Sequence, residues 1–159
     1  MDINNPTFLA KVMQERVLLP MVIDISKNIV KLVQEEMDKA SISTDTMQKY
    51  TIYQLQKQAN GYMSTVWVRD DLMQQEAEVG TYGVFNKFMS LDMSTTYGGK
   101  SIAWNLVSWL EDKGAKGGLG NNPIIPIGMF EKTYQKIDNQ IDGWVGRFAN
   151  KYGITLVRG

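Results

Sequence analysis

Two long stretches of the chain repeat hydrophobic residues at the spacing of an α-helix. The first stretch begins with Asn5 and Pro6, a capping residue followed by a first-turn proline, and it extends to about Lys39. Its face has a 3-4-3-4 spacing at Val22, Ile25, Ile29, Leu32 and Glu36. Because Pro20 lacks a backbone donor and clashes with the preceding turn, the sequence predicts a break or kink near Leu19. A helix of about 19 residues should follow it.

The second long stretch runs to the C-terminal region and has the clearest amphipathic pattern in the chain. Gly153 is placed to cap its end. Its hydrophobic positions are Phe130, Tyr134, Ile137, Ile141, Trp144, Val145, Phe148 and Tyr152. This pattern predicts a long C-terminal helix after Pro123 and Pro126, and residues 154–157 add a candidate terminal strand.

Between these helices the pattern changes to that of strands and loops. Residues 40–46 are small and polar, typical of a loop, and residues 47–60 are interpreted as a second helix. Residues 63–69 alternate and are rich in β-branched and aromatic side chains, which predicts a strand. Residues 76–88, with Gly80 and Gly83 among apolar positions, suggest a second strand with a bulge or tight bend.

A short amphipathic helix is predicted over residues 101–112, followed by a glycine-rich segment at 113–122. The sequence shows no internal repeat. We therefore expect a single α+β domain spanning residues 1–159, with long N- and C-terminal helices packed on a small, mainly antiparallel sheet. The segment 113–122 is expected to form a flexible loop on that domain.

Charge and composition narrow the function. Basic and acidic residues both number 17, so no field of a single sign is available to hold nucleic acid or an anionic membrane. A chain without net charge is also poorly protected against self-association. We read no signal peptide at the N-terminus and no apolar run long enough to span a bilayer.

The chain contains neither Cys nor His. Without them it has no thiolate nucleophile, no Ser-His pair and few means of holding a transition metal. Carboxylate, Lys or Tyr chemistry remains open, as do oxygen-ligated magnesium and calcium. We expect no cofactor and no catalytic residue, so an enzyme is the least favoured of the readings considered.

The motif most similar to a catalytic one is Gly98-Gly99-Lys100-Ser101 before a helix, since a phosphate-binding loop also ends in Gly-Lys-Ser. That loop needs a glycine where this chain has Ser94, and it needs a buried strand before it. A turn and an ordinary helix start is the better interpretation. Residues 114–120 similarly lack the spacing of a dinucleotide-binding fingerprint.

Carboxylates occur in pairs along the chain, but a pair at adjacent or helical spacing more often forms a solvated face than a catalytic site. The pairs are Glu35-Glu36, Asp70-Asp71, Glu76 with Glu78, and Asp138 with Asp142. Asp70-Asp71 is expected to end a strand. The tryptophans and methionines are expected mainly in the core, although Trp104 and Trp109 are too far apart around a helix to share one buried face.

The second half of the chain resembles the neck or tail-completion family of long-tailed bacteriophages. The resemblance lies in an apolar, aromatic segment (102–110), a glycine-rich loop (114–122), a proline-flanked stretch ending in an aromatic residue (123–130) and a long final helix. Residues 22–37 are similar to the opening helix of that family. The chain lacks the family's Gly-x-Leu-type turn and the Arg of its Arg-Pro-aromatic element.

The resemblance implies a non-catalytic virion protein, a ring-forming subunit that joins phage head and tail and is assembled in the host cytoplasm. Its partners would be copies of itself and other neck or tail proteins, without membrane or specific nucleic-acid binding. The expected subunit contacts are Trp109, Lys113, Lys116, Leu119 and Asn121. The alternative is a small protein-binding or accessory module that uses an exposed Trp/Met surface.

Overall fold

The fold combines long helices with a small antiparallel sheet, and a computed structural model describes it for residues 5–78, 96–97, 100–116 and 123–155. Within these ranges the strands pair as two antiparallel hairpins. The architecture is α+β, as the sequence predicts. The candidate strand at 76–88 lies outside the described residues except for its first three, which are helical.

The N-terminal region forms one continuous helical rod. Helix α1 (Pro6–Met13) leads into a π-helical turn (Gln14–Leu18), and that turn leads into α2 (Leu19–Met37). The Asn5 side chain accepts a hydrogen bond from the Thr7 amide at 3.0 Å, which confirms the predicted cap.

Pro20 does not interrupt this rod. Instead, the Leu19 amide donates to the Gln14 carbonyl five residues back, in the turn just before the proline. A π turn widens the helix where the proline ring would otherwise press on the preceding carbonyl. The predicted irregularity and the 19-residue helix after it are both present, but the chain stays helical through them.

The predicted helix at 47–60 is wrong over most of its length. A short helix α3 (Asp45–Lys49) is followed by strand β1 (Thr51–Gln58), which pairs with β2 (Gly61–Val68) through the two residues 59 and 60. The Thr51 hydroxyl donates to the Met47 carbonyl at 2.7 Å and so closes α3. Pairing with β2 decides the conformation of a segment whose own pattern has no clear period.

One face of this hairpin packs on α2. The Ser64 hydroxyl of β2 lies 2.6 Å from the Ser26 hydroxyl, and Ser26 in turn donates to the Val22 carbonyl at 2.6 Å. Ser26 is fully buried, so a small side chain lets the helix approach the sheet closely there. The opposite face of the hairpin carries the pair Ile52 and Trp67.

The remaining elements close the other side of the core. Helix α4 (Asp70–Glu78) begins at the carboxylates that were expected to end a strand. Strands β3 (Thr96–Tyr97) and β4 (Lys100–Ser101) precede helix α5 (Ile102–Ser108), which continues as a π-helical turn (Trp109–Lys113).

After that turn the chain makes a close approach at Gly114, whose φ is +60°. A Cβ there would lie 2.9 Å from the Ile124 carbonyl oxygen, so a larger residue would not fit without a shift.

The C-terminal helix α6 (Met129–Tyr152) ends at Gly153, whose φ of +63° is the left-handed cap that the sequence predicts. It packs antiparallel to α2, because Lys136 near its start contacts Glu36 and Tyr152 at its end lies near Leu19. Ile154 and Thr155 are not in a strand, and the rest of the candidate terminal strand lies outside the described residues.

The core lies where α2, α3, β2, α4, α5 and the start of α6 meet. Four methionines with no exposed surface fill it, since an unbranched side chain adapts to the gaps between elements that meet at different angles. These are Met37, Met47, Met73 and Met129. Leu106, Leu110 and Ile102 of the α5 region pack among them.

Replacing Leu106 by Ala should reduce the free energy of unfolding by about 2–5 kcal/mol, because it leaves a cavity beside fully buried neighbours. Urea unfolding followed by circular dichroism measures the change. Ile125→Ala is the control, since Ile125 is 58% exposed, and it should stay within about 0.5 kcal/mol of wild type. Equal losses in the two variants would show that the core is not centred on α5.

Candidate interaction surfaces

Glu36 is a fully buried carboxylate at the C-terminal end of α2, where α6 crosses it. Its Oε1 accepts from Lys39 Nζ at 2.8 Å, in the turn just after α2, and from Lys136 Nζ of α6. Its Oε2 has no hydrogen-bond partner within the described part of the chain. The two lysines therefore hold one buried charge that connects the long helices.

Burial by itself would raise the pKa of Glu36, but the hydrogen bonds and charges of Lys136 and Lys39 outweigh it and lower the pKa below its ordinary value. The same contact raises the pKa of Lys136. Both groups are therefore charged at neutral pH. The pair Glu35-Glu36 was expected on a solvated face, and this is wrong for Glu36, while Glu35 is exposed.

The other two described carboxylates with resolved pKa shifts also have partners. Glu76 Oε2 accepts from Lys49 Nζ at 2.7 Å and from the Tyr50 hydroxyl, and these contacts lower its pKa. Arg69 binds Asp71 through both carboxylate oxygens, at 2.8 and 2.6 Å, and lowers the pKa of Asp71. These contacts tie α4 to the ends of the hairpin.

Glu111 caps α6 from outside that helix. Its two carboxylate oxygens accept from the backbone amides of Phe130 at 2.9 Å and Glu131 at 3.1 Å. Gly128, just before the helix, has no side chain that could do this. A carboxylate at a helix N-terminus also offsets the positive end of the helix dipole.

Of the Gly98-Gly99-Lys100-Ser101 motif the structure describes Lys100 and Ser101, and Ser101 lies at the start of a helix. The Ser101 hydroxyl accepts from the Trp104 amide at 3.1 Å, an ordinary N-cap for the seven-residue α5. Lys100 and Lys113 place their ammonium groups 5.3 and 5.1 Å from the centre of the Trp104 ring. Both lysines are thus engaged by an aromatic ring of the same chain.

The expected subunit contacts fall into two groups. Trp109 is half-buried against the core, and Lys113, on the same π-helical turn, is exposed and lies over the Trp104 ring. Lys116 is exposed and follows Ala115, which pairs with Ile124 in an isolated antiparallel bridge. Leu119 and Asn121 lie outside the described residues.

Helix α1 (Pro6–Met13), which we call the arm, is poorly covered by the described part of the chain. None of its eight residues is buried. Phe8 and Val12 are half-buried, whereas Leu9 and Met13 are 46% and 49% exposed. The arm is mainly apolar and Lys11 is its one charged residue, so its exposure is not explained by a polar surface.

Two grooves flank the contact between α2 and α6. The first, of about 450 Å³, lies between α2, β2 and the N-terminal half of α6, and we call it the α6 groove; its apolar lining is Ile29, Val33, Val66, Phe130, Tyr134 and Ile137. The second lies at the opposite ends of the helices. Lys27, Arg147 and Lys151 line it together with Asp24, over apolar residues that include Phe148 and Tyr152.

No group of three or more Asp and Glu side chains is placed to hold a metal ion in the ranges that the structure describes. The helices seen there also include none that is both long enough and apolar enough to cross a membrane.

The sequence pattern did not predict that Glu36 is buried, that Glu111 caps α6 or that the arm is exposed. A signal for Glu36 was present, because it occupies a position of the apolar stripe of α2. Glu111 gave no signal, since the amides that it caps are 19 and 20 residues further along the chain. The pattern of the arm predicts a helix but does not say which of its faces has a neighbour.

Glu36→Gln should lower the free energy of unfolding by about 2 kcal/mol at pH 7, because it removes the charge that two lysine hydrogen bonds compensate. The effect should depend on pH. Since the folded-state pKa of Glu36 is lowered, the advantage of wild type is fully present above the ordinary glutamate pKa of about 4.3. It should be lost as the pH falls through the folded-state value.

Urea unfolding at a series of pH values measures the free energy of unfolding of wild type and variant. Because Glu76 and Asp71 titrate in both proteins, their contributions cancel in the difference between the two free energies. Glu35→Gln, the exposed neighbour on the same helix, is the control and should show a difference near zero throughout. A difference for Glu36→Gln that does not change with pH would contradict the charged contact.

Glu111→Ala should cost about 1–2 kcal/mol of stability, because two amides at the start of α6 lose their acceptor. Thermal or urea unfolding measures it. Asp112→Ala, its exposed neighbour in the same turn, should stay within about 0.5 kcal/mol of wild type. Similar values for the two variants would mean that the cap is not needed.

Comparison of the chain with protein-family models, with curated proteins and with solved structures found no match. Any function for this chain must be argued from its own residues and contacts.

Proposed function

We propose that this chain is a non-catalytic structural subunit that assembles into a ring, as a neck or tail-completion protein that joins phage head and tail. The observation that supports this most directly is the arm, which buries none of its residues while it exposes Leu9 and Met13. A role based on contacts between proteins accounts for such an element, whereas a role as an isolated monomer does not.

The physical argument concerns the length of the arm. Eight residues are too few for a stable helix in water by their own hydrogen bonds, because helix nucleation is costly and most helical stability in proteins comes from packing. The arm is continuous with the π-helical turn and α2, which extend it as one rod. A neighbouring protein that covered Leu9 and Met13 would bury their exposed apolar surface, and this burial would stabilise the contact by roughly 2–3 kcal/mol.

The carboxylates give further support to a non-catalytic role. General acid-base chemistry needs two carboxyls that converge on a cleft with different environments. Each of Glu36, Glu76, Asp71 and Glu111 is instead engaged with lysines, an arginine or helix amides. These contacts stabilise the fold and leave none of the four available as a proton carrier.

The proposal includes the partners and the place of action. Copies of this chain and other neck or tail proteins would cover its exposed apolar surface, in a virion assembled in the host cytoplasm. A formal charge of zero favours association between copies, and no cofactor, membrane or specific nucleic acid is invoked.

The alternative of a Trp/Met binding module has less support. Met37, Met47, Met73 and Met129 have no exposed surface, and Trp144 is 4% exposed. Among the described methionines, Met13 and Met63 are the well-exposed ones, and Met13 belongs to the arm.

The purified chain should form a closed ring of defined mass. Native mass spectrometry and light scattering over a range of concentrations measure the mass, and electron microscopy shows whether the particle is closed. The ring should persist at low micromolar concentration or form when a tail-tube protein is added. A chain that remains monomeric at high concentration and without a partner would rule out the proposed function.

A further inference from the structure

The arm and the α6 groove are complementary in character. The arm presents apolar side chains from Phe8 to Met13, and the groove is lined mainly by apolar side chains with the aromatic ring of Tyr134 at its rim. Tyr134 is 70% exposed, although it belongs to the apolar face of α6. Both surfaces are therefore apolar and incompletely covered within the described part of the chain.

Their charges are also complementary. Among the residues that the structure describes, Glu111 and Glu131 are the charged ones that line the groove. The arm has no carboxylate, its one charged side chain is Lys11, and its helix N-terminus carries a partial positive charge. Glu111 is already bound to amides at the start of α6, so the positive charge of the arm is attracted mainly to the exposed carboxylate of Glu131.

The dimensions agree as well. An eight-residue helix is about 12 Å long at 1.5 Å per residue. The part of α6 that lines the groove, from Phe130 to Ile137, also has eight residues and is therefore about 12 Å long. One arm therefore fits along one groove, in the way that an amphipathic helix lies in an apolar cleft.

The arm cannot enter the groove of its own chain. The α2 residues that line the groove are Ile29 and Val33, and the rod from Met13 to Ile29 is helical throughout. Sixteen residues of helix separate the two ends by about 24 Å, and the arm points away from the groove along the same axis. The occupant must come from another molecule.

We propose that the arm of one copy docks in the α6 groove of a second copy, with Leu9 and Met13 against Tyr134 and Ile137. This inference rests on the proposed function and identifies the contact that would build the ring. The contact joins two different surfaces, so it is head-to-tail: each copy gives an arm to one neighbour and receives an arm from the other. Such contacts produce closed rings when the rotation between subunits closes.

The absence of Cys from the chain permits a direct test by cross-linking. The variant combines Leu9→Cys with Tyr134→Cys, two exposed positions at which the fold should tolerate the change, and circular dichroism verifies folding. A short bifunctional thiol reagent should convert it into a ladder of covalent dimers, trimers and larger species on a denaturing gel. The control combines Leu9→Cys with Asn139→Cys, an exposed α6 residue that does not line the groove.

The ladder should be at least tenfold more intense for the groove variant than for the control. Equal cross-linking in the two variants would overturn the inference, as would a product linked within a single chain. Native mass spectrometry of protein that has not been treated with the reagent measures the mass of the assembly separately. A closed ring without the ladder would leave the proposed function standing and refute the arm contact, whereas a ladder from open chains would support the contact and refute the ring.

Discussion

The structure depends on the packing of α2, because the hairpin and α6 contact this helix. The hairpin approaches at Ser26, where a small buried side chain allows close contact with Ser64. The start of α6 meets the other end of α2 at Glu36, where the buried carboxylate binds Lys136 of α6 and Lys39 in the turn after α2. Helix α2 therefore carries two separate interfaces, and the pairing of Glu36 with Lys136 holds the start of α6 against the end of α2.

Continuity of the N-terminal rod follows from the same helix and decides where the arm lies. A proline inside a helix usually breaks or kinks it, because its ring presses on the carbonyl four residues back. Here a π-helical turn before Pro20 makes room for the proline ring, and the Leu19 amide donates to the Gln14 carbonyl. The helix continues in the N-terminal direction as the arm, whose residues remain unburied. The local accommodation of one proline thus keeps the arm in line with α2.

The polar contacts of this protein work mainly as connections between elements. Glu36 joins α2 to α6, Glu76 joins α4 to the residues before the hairpin, and Glu111 joins the turn after α5 to the start of α6. Each is a charge-assisted hydrogen bond across a long sequence separation, which is stronger than a bond between neutral groups. The arm and the α6 groove instead present mainly apolar side chains, and these are the surfaces that we assign to neighbouring molecules.

The sequence by itself determined the elements whose signals are local. The cap at Asn5, the strand around residues 63–69 and the long final helix ending at Gly153 follow from capping chemistry, side-chain alternation and helical periodicity. The tertiary structure alone decided that residues 51–58 are a strand, because only pairing with β2 distinguishes it from a helix. It also decided that Glu36 is buried and that Glu111 caps α6. Those outcomes depend on residues 19 to 100 positions away, whose approach no local pattern encodes.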